Sequence, residues 1–99
     1  MLGNMTKILG QMQQLQEQLK KLTVEATAGD GTVKIIMNAQ QNVLAVRFDP
    51  DKAGNIGPEA LGQMIIEAFN EAQAASKAKA REEVTKVTGL NLSSLPGLF

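Results

Sequence analysis

Met5, Ile8, Met12, Leu15, Leu19 and Leu22 recur at alternating steps of three and four along the start of the chain. That is the a/d spacing of a narrow helical seam, and it predicts a helix over about residues 4–22. Asn4 is a suitable N-cap, and Gln11, Gln13, Gln14, Gln16, Glu17 and Gln18 between the seam positions are polar helix formers. Gly10 is the weak point of the element, costing about 1 kcal/mol relative to Ala in a helix interior. A seam this narrow calls for packing against another helix, from the same chain or from a second copy.

From Thr23 the period becomes two. Val24, Ala26 and Ala28 alternate with Thr23, Glu25 and Thr27, predicting a strand over 23–28. Gly29-Asp30-Gly31 supplies residues that tolerate positive φ and reads as a turn. A second strand follows over 32–38, with Val33, Ile35 and Met37 on one face. After the turn at Ala39–Asn42 a third strand covers 43–49 and is ended by Pro50. The apolar face of this third strand is ambiguous: Leu44, Val46 and Phe48 point one way, while Val43 and Ala45 share a face with Arg47.

Asp49–Gly57 is rich in turn residues and reads as a linker. Pro58 then opens a second helix, expected to run to about Thr88, with Gly89 as its C′ residue and Leu90 against Val84. Its buried stripe is expected to be Leu61, Met64, Ile65, Ala68, Phe69 and Ala72. Residues 89–99 (GLNLSSLPGLF) read as an irregular tail. A helix over 58–88 spans about 45 Å, whereas a six-residue strand covers about 20 Å. The sheet can therefore shelter only the first half of the helix, and the second half must overhang. The expected fold is α+β: a two-layer α-β-β-β-α domain over residues 1–99. It has a three-stranded antiparallel meander and a long projecting C-terminal helix, and is homodimeric.

Composition narrows the chemistry. The chain has 99 residues and only three aromatics, Phe48, Phe69 and Phe99, so its core is aliphatic. A core of this size is marginal alone, which favours oligomerisation. The sequence has no Cys and no His, which removes thiol chemistry, zinc-thiolate sites and the usual general base. Asp49 and Asp51 flank Pro50, while Glu82 and Glu83 lie where i,i+4 pairing with Lys86 and Lys79 is expected. Neither pair makes a metal site, and Ser76, Ser93 and Ser94 have no partnering base. No catalytic residue, cofactor, metal or small-molecule substrate is expected. No apolar run approaches the ~20 residues of a membrane span, and the start of the chain lacks the pattern of a secretion signal, so a cytoplasmic location is expected.

Charge changes the picture most. Ten basic and ten acidic residues give a formal net charge of zero, but they are segregated. Residues 1–24 carry Lys7, Lys20 and Lys21 against Glu17, a balance of +2. Residues 25–71 carry Lys34, Arg47 and Lys52 against Glu25, Asp30, Asp49, Asp51, Glu59, Glu67 and Glu71, a balance of −4. Residues 72–99 carry Lys77, Lys79, Arg81 and Lys86 against Glu82 and Glu83, again +2. Basic ends flanking an acidic middle point to a polyanionic partner at the ends, or to ordinary solvated helix faces.

Several segments in order resemble one family. These are the Gln/Met/Leu-rich opening (MTKILGQMQQLQEQLKKL), the GDGTVKI hairpin at 29–35, NVLAVRFDP at 42–50, AFNEA at 68–72 and SSLPGLF at 93–99. Together they are similar to the YbaB/EbfC family of bacterial nucleoid-associated proteins. The resemblance implies a tweezer-shaped homodimer whose projecting helices grip duplex DNA, largely without sequence preference, organising the nucleoid and influencing gene expression. Under that reading Lys77, Lys79, Arg81 and Lys86, with Lys7, Lys20 and Lys21, contact phosphates. Met12, Leu15, Leu19, Leu22, Val33, Ile35, Val46 and Phe48 serve packing and the dimer. The alternative is a dimeric interaction module that docks a protein client through its helical seam and C-terminal tail.

Overall fold

The computed structural model describes residues 2–88, with side chains described for residues 5–87. The elements in order are α1 (Leu2–Lys21), β1 (Thr23–Ala28), β2 (Val33–Asn38), β3 (Val43–Phe48), α2 (Pro50–Ala53) and α3 (Pro58–Thr88). The strands form one antiparallel sheet in the order β1-β2-β3, the meander that the alternation implies. α1 starts at Leu2, which places Asn4 inside the helix rather than at its cap. The expected ending at Gly89 and Leu90, and the tail, lie outside the described residues.

Asp49–Gly57 is not wholly a linker. Asp49 caps α2 by accepting the Asp51 N–H at 3.0 Å, and Pro50 occupies the first turn, so one helical turn forms where the sequence places Asp before Pro. In the β1–β2 turn Gly29, Asp30 and Gly31 all have positive φ.

The core lies between the sheet and the first half of α3. Val33, Ile35 and Met37 of β2 and Ala26 of β1 meet Ala68 and Ala72 of α3. Val24, Ala28, Leu61, Met64 and Ile65 pack around them. Three of the α3 positions over the sheet are small: Ala68, Ala72 and Ser76 are all fully buried. Small side chains let the helix backbone approach the strands closely and fill the space without voids. Ser76 satisfies its hydroxyl by donating to the Asn38 carbonyl at 2.8 Å.

α3 packs on β1 and β2 and leaves β3 uncovered. Directly opposed residues share a face of a sheet. Val46 faces Ile35 and Phe48 faces Val33, so both point to the helix side. A bulge opposite Ile36 and Met37 then places Val43 across from Met37, with Leu44 as the extra residue. The alternation flips at the bulge, so Val43 joins Val46 and Phe48, and the ambiguity of this strand disappears. All three remain more than two-fifths exposed. Phe69, expected in the buried stripe, is 37% exposed. It sits on the flank of α3 that carries Gln73, which bonds to Gln41 in the β2–β3 turn, and so looks out over the uncovered strand.

Gly29 is held by both conformation and packing. Its φ is +64°, and a Cβ there would fall 2.5 Å from the Met64 sulfur. Gly29→Ala is expected to cost about 1–3 kcal/mol, read as a lowered denaturation midpoint with an unchanged slope.

Candidate nucleic-acid interface

α1 and α3 meet at the end of the sheet that carries the β2–β3 turn. The Ala39 N–H donates to the Leu19 and Leu22 carbonyls at 3.1 and 2.9 Å, closing the C-terminal end of α1, where helix carbonyls lack partners of their own. The Gln40 amide donates to the Gln16 carbonyl at 3.1 Å. Leu19, Ala39 and Ala80 form a second small core, with Leu15 and Leu22 against it. The turn itself is braced by Asn38, whose side-chain oxygen accepts the Gln40 and Asn42 N–H groups at 3.0 Å each.

Beyond this junction both helices leave the sheet. α3 continues eight residues past Ala80 and α1 continues back seventeen residues from Leu19 to Leu2, distances of about 12 and 26 Å at 1.5 Å per residue. The molecule is accordingly elongated, with extents of 62 × 24 × 17 Å. Its radius of gyration is 17.3 Å, against about 13 Å for a compact 100-residue domain.

Every cation of the two basic segments lies on these helices: Lys7, Arg81 and Lys86 beyond the junction, and Lys20, Lys21, Lys77 and Lys79 next to it on the sheet side. Lys7, Lys20, Lys21, Arg81 and Lys86 are exposed, and Lys77 and Lys79 are half-buried, with their stems along the protein surface. They do not share one face. At 100° per residue Lys77 and Arg81, one turn apart, fall on one flank of the buried Ala80–Val84 line, and Lys79 and Lys86 on the other. The second flank is partly neutralised: Lys86 pairs with Glu82 at 3.3 Å. The expected Lys79–Glu83 pair does not form among the described residues. No carboxylate of α3 falls on the Lys77–Arg81 flank within a turn of either residue. On α1, Lys20 lies 4.0 Å from Glu17, while Lys7 and Lys21 make no ion pair among the described residues.

The residues expected to serve packing and the dimer divide into two groups. Leu19, Val33 and Ile35 are buried within the chain, and Leu15 and Leu22 are half-buried. Met12, Val46 and Phe48 are exposed. Sequence reasoning missed Ser76 and Asn38, whose hydrogen bond ties α3 to the end of β2; the one visible signal was a Ser continuing the i,i+4 alanine line. Among the described residues no group of three carboxylates lies close enough to hold a metal ion, and no helix is long and apolar enough to cross a membrane. An open depression on α1 is lined by Gly10, Gln13, Gln14, Gln16 and Glu17.

A two-layer α+β unit with a long helix whose basic second half runs off its sheet is the class these features define. Residues 1–91 match the YbaB/EbfC DNA-binding family, and the chain belongs to that family. A nucleoid-associated protein of Pelotomaculum thermopropionicum is 37% identical over 98% of this chain and 97% of its own length. One from Syntrophobacter fumaroxidans is 38% identical over 89% of this chain and 83% of its own. An uncharacterized protein of Helicobacter pylori has the same fold, with a TM-score of 0.72 at 18% identity, covering 85% of this chain and 88% of that one. The family and the names of these relatives point to DNA binding and the nucleoid rather than to an enzyme.

The Glu82–Lys86 pair is solvent-exposed, and exposed i,i+4 pairs contribute only about 0.3–0.5 kcal/mol. Lys86→Gln is therefore expected to leave the thermal midpoint within about 2 °C of the parent, measured by circular dichroism.

Proposed function

We propose that the protein is a nucleoid-associated protein that binds duplex DNA as a homodimer. It contacts phosphates through its two projecting helices and reads little or no base sequence. The observation that carries this reading is the gathering of all seven cations of the basic segments on two helices that run away from an acidic body. Neutralising phosphates releases condensed counterions, so the affinity depends steeply on salt and little on sequence. Among the described residues the helices present no zinc-finger or helix-turn-helix device for reading base edges. Such binding places the protein on the nucleoid and lets it influence expression by occupying DNA.

The dimer follows from β3. This edge strand leaves one row of backbone donors and acceptors unpaired, and its helix-side residues Val43, Val46 and Phe48 are open. On α3, Ile66 and Phe69 are exposed as well. A second copy approaching about a two-fold axis covers the strand with its own equivalent patch, the self-complementary contact a symmetric dimer requires. Pairing at β3 leaves both junctions and both pairs of arms outside the interface.

Two measurements test the two halves of this reading. In fluorescence anisotropy with a labelled 30-mer duplex and a scrambled control, the parent protein is expected to bind both alike, with affinity falling steeply between low and physiological salt. Lys77→Gln with Arg81→Gln removes four contacts from a dimer and is expected to lower the log–log salt slope by about 3–4. Lys79→Gln with Lys86→Gln, on the flank that carries Glu82, is expected to lower it less. Equal effects from the two pairs, or none, overturn the assignment of the flank. Separately, Val46→Glu is expected to convert the dimer to a folded monomer in sedimentation velocity. A dimer that survives this change does not use β3.

A further inference from the structure

The apolar stripe of α1 is covered only near the sheet. Leu19 is buried and Leu15 half-buried at the junction with α3, but Met5, Ile8, Leu9 and Met12 are 52–62% exposed. These four occupy the tip of the arm, a stretch of about 10 Å. Together they open a patch on the order of 400 Å², the size that marks an interaction site on a monomer.

Symmetry, charge and width say what fits this patch. Positions 5, 8, 9 and 12 are spaced evenly about the midpoint between Ile8 and Leu9, and their side chains run methionine, branched, branched, methionine. Read from either end, the tip presents the same sequence of shapes. An antiparallel second α1 therefore sets its Met12 against Met5 and its Met5 against Met12. Ile8 and Leu9 of both copies fill the middle, and the unbranched methionines adapt to the gaps that remain. Lys7, the sole charged residue from 5 to 16, lies about 100° or more round the helix from each of the four. The stripe is bordered instead by Gln11 beyond Ile8 and by Thr6 and Gln13 beyond Leu9. An antiparallel pair of identical helices brings each border against its own equivalent, where like charges would repel and these neutral side chains do not. Width fixes the orientation. Paired helices lie about 8–10 Å apart, but the molecule is 24 × 17 Å across. Parallel tips would drive the two bodies into the same space, whereas antiparallel tips send them to opposite ends.

We propose that the tip of α1 docks on the same tip of a second copy, antiparallel, about a two-fold axis between Ile8 and Leu9. The two patches together fall short of the roughly 1,200 Å² at which standard interfaces begin, so the pairing is weak and forms where the protein is concentrated. It uses a surface distinct from β3, and a dimer joined at β3 keeps both tips available, so such dimers link into open chains. The tip pairing itself stands independently of DNA binding and of the β3 dimer.

The sequence has no cysteine, so one introduced thiol per chain reports only on contacts between copies. Full-length Met5→Cys and Met12→Cys proteins are mixed in equal amounts in a glutathione redox buffer. The disulfide joining position 5 to position 12 is expected to exceed either self-linked product at least about tenfold, as effective concentration requires for docked groups. Lys7 lies between the two positions, so tryptic peptides identify each product by mass. Adding Ile8→Gln and Leu9→Gln to both proteins is expected to return the products to the proportions of random collision. A second comparison guards against poor folding of these variants: Ile8→Cys is expected to link to itself at least about tenfold faster than Gln14→Cys, which lies on the opposite side of α1. Random proportions in the first mixture, an excess of self-linked products, or equal rates in the second comparison overturn the proposal.

Discussion

A 31-residue helix resting on strands of six residues cannot be covered by them, and much of the molecule is a response to that mismatch. The sheet offers about 20 Å of support to a helix of about 46 Å. Over the supported half the helix uses alanines and a serine to approach the strands closely. Past the edge it needs a different neighbour, and the end of α1 supplies one through Leu19. Beyond that contact both helices stand in solvent, where α3 turns from large apolar residues to alanine, lysine, arginine and glutamate while α1 keeps an exposed apolar stripe. The same helix, set over β1 and β2, is too narrow to cover β3. A single geometric misfit thus produces the projecting arms at one end and the open strand at one side.

The elements were legible because their periods are clean. A 3–4 seam, three alternating strands and a proline-opened helix leave little choice of secondary structure, and short turns fix the meander. The overhang was legible from length alone. What the sequence obscured was anything set by the position of one element over another. Phe69 has the right period for the buried stripe, but whether that flank meets a strand depends on where α3 crosses the sheet. The face of β3 could not be chosen because the bulge at Leu44 reverses the alternation within the strand, and a bulge has no signature in one strand read alone. α2 is different: Asp49-Pro50 carried the signal of a helix start, and the surrounding glycines hid it.

The candidate interface was legible in part. The cations were visible as charge segregation, and their helices as periodic segments. Their division between two flanks of α3 follows from residue spacing, yet it acquires meaning only once Ala80 and Val84 are seen to define the buried line between them. Which cations are offset by acids depended on rotamers: Glu82 reaches Lys86, while Glu83, one residue on, pairs with neither lysine.

The turn after β2 has a consequence for how such a chain can drift in evolution. Ala39 ties down the end of α1, Asn38 anchors α3 through Ser76, and Gln41 holds Gln73. One added residue there would displace both helices at once and change the gap between them. The Gly29–Thr32 turn at the far end touches neither arm. Variation in chain length therefore has a tolerant end and an intolerant one, and the span between the arms is inherited through one short loop.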